Sequence, residues 1–114
     1  MGSKMITFDD FMQVELRMGT ITDVLDFPEA HQPSYKLTID FGPEVGVKRS
    51  SARITDHYTK EELMGRQVMC VTNFPPKQIG PFISEVLVTG FDLSDGTISL
   101  AGADRSVPNG TRLS

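Results

Sequence analysis

The chain has 114 residues, a formal net charge of −4 and a single cysteine, Cys70, so a disulfide framework is excluded. Its length fits one domain with its own hydrophobic core, and its negative charge excludes a nucleic-acid surface that covers the whole molecule, although not a local basic surface. No apolar run approaches the roughly 20 residues that span a bilayer, and no signal peptide is visible. We therefore expect a cytoplasmic protein without membrane insertion.

A short helix is predicted near the start of the chain. Residues 1–4 resemble an expression remnant, and one domain is expected over residues 5–114. Thr7 precedes two acidic residues, which is typical of a capped helix start. A helix of about two turns is not stable alone, so its apolar face needs a covering surface, either the chain's own body or a second copy. The apolar residues of this face are Phe8, Phe11 and Met12.

Five stretches alternate between apolar and polar residues, the period of a half-buried β-strand. The predicted strands cover residues 14–24, 35–41, 45–53, 67–73 and 85–91. Gly19 interrupts the first strand and suggests a bulge or a bend. Asp95 and Gly96 then predict a hairpin turn.

A second short helix is predicted between the third and fourth strands. Thr59 and Glu62 form a capping box there, and Gly65 stands at the helix end. Five strands with a helix at this place describe an all-β fold, a small Greek-key barrel of the OB type. A β-sandwich is the main alternative, but its turns are spaced more evenly and no helix is expected in it.

Catalysis is not indicated by the motifs of the chain. His31 and His57 do not stand at metal-ligand spacing from each other or from Cys70. No nucleophile elbow, P-loop or dinucleotide-binding fingerprint occurs in the sequence. We therefore expect neither enzyme activity nor a metal or cofactor.

Basic residues are concentrated in the third predicted strand, where Lys48, Arg49 and Arg53 occur with no acid among them. Strict alternation would turn Lys48 and Arg49 to opposite faces, so a bulge would be needed to bring both outwards. Lys36 and Lys77 could join the same surface. Such side chains bind phosphates, although a solvated outer face is the alternative interpretation.

The stretch of residues 73–88 contains a loop that its prolines make rigid, a common way to hold a binding site between two strands. Asn73 and Ser84 could give neutral hydrogen bonds to sugars or bases. Phe74 and Phe82 could stack on unpaired bases, or they could fill the end of the barrel.

Several stretches resemble the tRNA-binding OB-fold domain, which also occurs in some methionyl-tRNA synthetases. Residues 14–21 are similar to the opening strand of that family, D-x-R-V-G-x-I. The resemblance continues in residues 35–42, 48–52, 58–63, 73–79, 84–87 and 107–111. Together these motifs look like the CsaA-type export chaperones of bacteria.

The resemblance implies a homodimer that binds tRNA and has a peptide-binding chaperone role in protein export. Its partners would be tRNA and unfolded or preprotein clients, with the export machinery as a further candidate. The family's polar loop positions match Asn73 and Lys77, its serine matches Ser84, and its first-strand arginine matches Arg17. A tRNA-binding module without chaperone activity is the alternative.

The residue predictions combine the patterns with this resemblance. The expected RNA-binding residues are Arg17, Lys36, Lys48, Arg49, Ser50, Arg53, Asn73, Lys77 and Ser84. The expected peptide-binding residues are Phe27, Phe74, Pro75, Pro76 and Phe82, and the expected dimer contacts are Phe8, Phe11 and Met12.

One stretch departs from the wider family, which has a Gly-Met pair where this chain has Glu85, Val86 and Leu87. Glycine lets a backbone approach a ligand closely, whereas Val86 does not. Glu85 adds a charge that repels phosphate. The departure therefore favours a surface shifted towards peptides.

Overall fold

The computed structural model describes residues 4–114, so residues 1–3 of the expected remnant lie outside the described part. The strands in chain order are β1 (Leu16–Asp26), β2 (Tyr35–Asp40), β3 (Val47–Ala52), β4 (Gln67–Val71), β5 (Lys77–Ile79), β6 (Phe82–Ser84), β7 (Leu87–Val88), β8 (Gly90–Asp92) and β9 (Ile98–Leu100). The helices are α1 (Phe8–Met12), α2 (Gly42–Val45) and α3 (Lys60–Leu63).

Five strands form one antiparallel sheet in the order β3-β2-β1-β4-β7. The two edge strands, β3 and β7, also contact each other, so the sheet curls into a nearly closed barrel. The all-β, five-stranded barrel predicted from the sequence is confirmed. Two hairpins, β5–β6 and β8–β9, form separate two-stranded ladders beside it.

The irregularity of β1 lies at Thr22 and not at Gly19, where the sequence suggests it. Ile21 pairs with Ile39 and Asp23 with Thr38, so Thr22 is the extra residue of the bulge. Gly19 has a different reason to lack a side chain, because a Cβ there would lie 2.6 Å from Cγ2 of Ile39. The glycine thus permits the close approach of β1 to the core.

The alternation of β2 decides which side chains enter the barrel. Tyr35, Leu37 and Ile39 are buried, whereas Lys36 and the other intervening residues are partly exposed. The core that these strands enclose consists mainly of Ile21, Val24, Tyr35, Leu37, Ile39, Phe41, Ile54, Leu63, Val68 and Cys70.

Both predicted helices are present, and each begins with a capping box. Asp10 N–H donates to the hydroxyl of Thr7 in α1, and Glu62 N–H donates to that of Thr59 in α3. Each acidic side chain in turn accepts from its cap residue's N–H, so two otherwise unpaired donors are satisfied at each start. A further short helix, α2, follows β2 directly and has Pro43 in its first turn.

The fifth predicted strand, residues 85–91, is divided between two ladders. Leu87–Val88 pairs with β4 in the barrel, while Gly90–Asp92 pairs with β9 in the outer hairpin. Gly90 allows this second pairing, because a Cβ there would lie 2.5 Å from Cγ2 of Ile98. The predicted hairpin at Asp95 and Gly96 is therefore the β8–β9 hairpin.

Candidate RNA-binding and peptide-binding surfaces

A groove of about 690 Å³ runs between the β1–β2 loop, the end of β3 and the β5–β6 hairpin. Arg53 and Lys77 supply two positive charges to its lining against the one negative charge of Asp92, and Ser84 supplies a hydroxyl. Arg53 extends from the end of β3 and donates a hydrogen bond to the side-chain oxygen of Gln32. The structure thus brings three of the predicted RNA-binding residues to one groove, which we name the basic groove.

Two further predicted cations, Lys36 and Arg49, lie on the outer face of β2 and β3. Arg49 Cζ is 4.4 Å from the ring centroid of Phe82, and Lys36 Nζ is 5.4 Å from that of Phe27. The two rings pack on each other with centroids 5.3 Å apart. Aromatic faces attract cations through their quadrupole, so the pair of rings holds both charges in place at the surface.

Phe27 and Phe82 are not available as stacking platforms or peptide contacts. Each ring is only 3% exposed, and the two cations lie over them. For Phe82 this agrees with the alternative that it fills the barrel end. The reason is the position of β6, which packs against β3 and presses Phe82 onto the β1–β2 loop.

Lys48 does not join the outward-facing cations. The pairing of β2 with β3 is unbroken, with Ile39 opposite Lys48 and Thr38 opposite Arg49. Without a bulge, Lys48 and Arg49 point to opposite faces. Lys48 is accordingly partly buried while Arg49 is exposed.

Ser50 is completely buried, so it cannot contact an RNA at this surface. Its hydroxyl donates a hydrogen bond of 2.8 Å to the carbonyl oxygen of Val86. A buried hydroxyl needs such a partner, and this one ties β3 to the segment before β7. Ser50 therefore has a structural role.

Arg17 and Asn73 lie at the opposite end of β1 from Lys36, whose partner is Leu25. Eight residues of strand, about 26 Å, separate Arg17 from Leu25. Arg17 donates to the carbonyl of Gly110 and pairs with Glu15. Asn73 accepts from Glu15 N–H at 3.0 Å. Arg17 thus holds the C-terminal segment at Gly110, and Asn73 holds the segment of residues 13–15 that precedes β1.

Glu85 and Val86, which stand where the wider family has its Gly-Met pair, chiefly contact the strands and core of the barrel. Glu85 N–H donates to the carbonyl of Arg49, and the Glu85 carboxylate accepts from Arg49 N–H at 3.0 Å. Val86 is 5% exposed and belongs to the core. Glu85 is thus committed to the edge of β3, and Val86 does not face solvent.

The rigid loop after β4 keeps its apolar residues at the surface. Phe74 is 53% exposed, and Pro75 and Pro76 are exposed as well. Phe74, Pro75 and Leu87 line a depression of about 300 Å³ that also borders Lys77 and Ser84. We name it the apolar depression. The hairpin pair Lys77–Ser84 separates it from the basic groove.

Cys70 and Lys60 have shifted pKa values, and in each case the surroundings explain the shift without a catalytic role. Burial raises the pKa of the Cys70 thiol to about 12, so this cysteine is a core residue and not a nucleophile. The hydrogen bond and charge of Asp26 raise the pKa of Lys60, whose Nζ lies 2.9 Å from that carboxylate. Among residues 4–114, no group of three or more His, Cys, Asp or Glu side chains is arranged for a metal ion.

Sequence reasoning missed six polar residues that line the basic groove: His31, Gln32, Ser34, Ser51, Thr89 and Asp92. The two prolines around His31 and Gln32 marked the loop as shaped, but only the barrel shows which strand end this loop faces. Ser51 alternates with the buried Ser50, so strand periodicity could have placed it outside.

Comparison with known proteins shows the family to which this chain belongs. Residues 16–112 match the family model of the tRNA binding domain. The chain belongs to the tRNA-binding domain family. A crystal structure of the chaperone CsaA from Bacillus anthracis is 46% identical, with a TM-score of 0.91 and coverage of 97% of this chain and 100% of that one.

A second solved structure, of the CsaA chaperone protein from Picrophilus torridus, is 48% identical over 96% of this chain and 100% of that one, with a TM-score of 0.89. The predicted likeness to CsaA-type proteins and the OB-type fold are thereby confirmed. Among curated relatives, the methionine–tRNA ligase of Bacillus subtilis is 34% identical over 95% of this chain. The chain spans only 16% of the length of that ligase.

The helices are all short. In the part of the chain that is described, none has the length and apolar character to span a bilayer.

Proposed function

We propose that this protein binds tRNA through a basic surface formed by Lys36, Arg49, Arg53 and Lys77. The carrying observation is that Arg53 and Lys77 line one groove, beside two cations that aromatic rings hold outwards. Lysine and arginine bind phosphate oxygens of nucleic acids without reading sequence. Membership of the tRNA-binding domain family supports this ligand, and it supports a binding role without catalysis.

A tRNA titration followed by fluorescence anisotropy at several salt concentrations tests the proposal. Each neutralised phosphate releases counterions and contributes about 0.7–0.9 to the slope of log affinity against log salt. Four contacts predict a slope near −3. Binding that ignores salt, or no binding at low salt, would contradict the basic surface.

A matched pair of charge reversals locates the surface. Arg53→Glu and Lys4→Glu each change the net charge by two units. Lys4, however, precedes α1, whose C-terminal end lies near the start of β1 and away from the basic surface. We expect Arg53→Glu to weaken tRNA binding by about tenfold or more, and Lys4→Glu to change it little. Equal losses would mean that only net charge matters.

We further propose a chaperone role in which the apolar depression accepts side chains of extended peptide segments. Phe74 and Leu87 are each about half exposed there, which favours an apolar ligand. The kinship with CsaA proteins, named chaperones in Bacillus anthracis and Picrophilus torridus, supports the role. Export clients and a cytoplasmic location belong to the same proposal.

Suppression of client aggregation tests the chaperone role. Phe74→Ser should weaken this suppression because it removes an apolar contact. It should leave tRNA binding unchanged, because Phe74 carries no charge and does not line the basic groove. Ile83→Ser is the control, since Ile83 is equally exposed but does not line the apolar depression. Unchanged suppression by Phe74→Ser would remove this residue from the proposal.

A homodimer through α1 completes the proposal. Phe8 is 69% exposed and Ile6 is 67% exposed, while Phe11 and Met12 are partly buried. Large apolar side chains exposed near each other in the chain favour contact with a second copy. Sedimentation velocity should give a dimer for the wild type and a monomer for Phe8→Ser. A wild-type monomer at micromolar concentration would refute it.

A further inference from the structure

A second polar cleft, of about 470 Å³, lies at the start of β4. It is lined by the turn of residues 65–67 and by the loop of residues 100–106 that follows β9. Asn73 lies beyond the other end of β4, at a distance of about 20 Å of extended chain. The cleft is therefore separate from the apolar depression, and the one described lining residue that it shares with the basic groove is Leu100.

Two arginines line this cleft, and Arg105 is almost fully exposed, whereas a ring holds Arg66. The Cζ of Arg66 lies 5.1 Å from the ring centroid of Tyr58. Tyr58 is fixed in turn, because its hydroxyl accepts from Leu100 N–H at 3.0 Å and its carbonyl accepts from the hydroxyl of Tyr35 at 2.8 Å. Within residues 4–114 the Arg66 guanidinium has no ion pair. A guanidinium held on a fixed ring loses little freedom when it binds an anion.

The loop of residues 102–106 is held at both ends. Ala101 N–H donates to the carbonyl of Thr89, and Val107 exchanges hydrogen bonds with the side-chain amide of Gln67. Between these anchors, the five backbone N–H groups of residues 102–106 donate no hydrogen bond inside the described part of the chain. Residues 102–106 are exposed and line the same cleft as Arg66.

Two acidic side chains oppose an anion in this place. Asp104 belongs to the loop and is paired only loosely with Arg105, at 3.9 Å, with both side chains almost fully exposed. Glu62 on α3 has its pKa lowered chiefly by hydrogen bonds from Thr59, and the charge of Arg66 contributes to that shift. Glu62 stays charged in its capping box and therefore repels an anion as well, but only Asp104 belongs to the lining of the cleft.

We propose that the cleft between Arg66 and residues 102–106 binds a phosphate group. Phosphate oxygens accept from backbone N–H groups and from arginine, and these are the donors that the cleft offers. Its polar lining excludes an apolar ligand. The phosphate comes either from free inorganic phosphate or from a nucleic-acid backbone, since both present the same oxygens.

Titration of the full-length, ¹⁵N-labelled protein with sodium phosphate at constant ionic strength tests the site. The amide signals of residues 102–106 should shift and saturate, with a dissociation constant on the order of 1 mM, while sodium chloride should leave them in place. Shifts that grow without saturation, or that are equally large at the Asp95–Thr97 turn, would overturn the proposal.

Two variants with opposite expected effects guard against misfolding as an explanation. Arg66→Ala should weaken phosphate binding by about tenfold, because a charged donor is lost. Asp104→Asn should strengthen it by about threefold, because a repelling charge is removed, and unfolding cannot produce that gain. Lys4→Ala removes one positive charge outside both the cleft and the basic groove, and as the control it should leave phosphate binding unchanged. An unaltered affinity in both cleft variants would overturn the assignment.

A tRNA titration of the same labelled protein distinguishes the two sources. If the phosphate belongs to a nucleic-acid backbone, tRNA shifts the amides of residues 102–106, and Arg66→Ala lowers the salt slope by about one phosphate, 0.7–0.9. If it is free phosphate, tRNA leaves these amides in place. Failure of wild-type tRNA binding would refute the proposed function and not this cleft, since inorganic phosphate tests the cleft alone.

Discussion

The guanidinium of Arg49 lies over the ring of Phe82, with Cζ 4.4 Å from the ring centroid. The arginine is exposed and the ring is buried, so the two partners have separate roles. The ring is part of the packing between β6 and the β1–β2 loop. The charge above it faces solvent, where a phosphate can reach it.

Substitution of the two partners should separate binding from stability. Arg49→Ala should weaken tRNA binding by about tenfold but cost only about 0.5–1 kcal/mol in the free energy of unfolding, the usual value of an exposed cation–π pair. Phe82→Ala should cost about 3 kcal/mol or more, because it leaves a cavity against Phe27. Urea denaturation and anisotropy measure the two effects. A Phe82→Ala protein with unchanged stability would contradict its packing role.

Ser50→Ala tests whether this serine is structural. The substitution removes the shorter of two hydrogen bonds to the carbonyl of Val86, which then accepts only from the Ser84 hydroxyl at 3.4 Å, so we expect a loss of about 1 kcal/mol in the free energy of unfolding. Under conditions where the variant is folded, its tRNA affinity should equal that of the wild type. Ser51→Ala is the matched neighbour on the outer side of β3. A tRNA defect in Ser50→Ala without a stability defect would restore the serine to the RNA-binding set.

The raised pKa of Cys70 predicts an unreactive thiol. With a pKa of about 12, the thiolate fraction at pH 8 is more than about a thousandfold below that of a free cysteine. Native protein should therefore react with a disulfide reagent only as fast as it unfolds, and addition of urea should make labelling fast. Rapid labelling of the native protein would show that β4 opens locally.

Glu62 predicts a pH dependence of stability. Hydrogen bonds from Thr59 lower the pKa of its carboxyl below the ordinary 4.5, so the folded state favours the charged form. This contribution is complete above the unfolded-state pKa and is lost as the pH falls through the lower, folded-state pKa.

Glu62→Gln keeps an acceptor for the capping box and removes the titration. The stability difference between wild type and variant should be constant above about pH 5.5 and should shrink as the pH falls below 4.5. Thermal unfolding of both proteins between pH 3 and pH 7 measures it. A difference that does not change with pH would contradict the assignment.

The parts of the fold that were predictable have local causes. Thr59 and Glu62 are three residues apart, so the capping box could be recognised in the sequence alone. The alternation of β2 likewise fixed which side chains are buried. Lys48 and Arg49 diverge because β3 alternates without a bulge, as strict periodicity requires.

The candidate site depends on contacts between distant residues, and there the sequence was less informative. Ser50 is buried where its hydroxyl bonds the carbonyl of Val86, and Phe82 is buried where its ring packs on Phe27. In both cases the partner lies far away in the chain. The engagement of Asn73 with Glu15 has the same origin. A loop pattern marks such residues as unusual without saying whether they face solvent.

The β5–β6 hairpin has its own two-stranded ladder, outside the five strands of the barrel. It nevertheless forms the wall between the basic groove and the apolar depression, through Lys77 and Ser84. Its exposed positions can therefore vary in evolution without breaking any hydrogen bond of the barrel sheet. Substitutions at exposed positions such as Gln78 and Ile83 can change the ligand preference of either surface at low cost to folding, whereas Phe82 and Ser84 must stay.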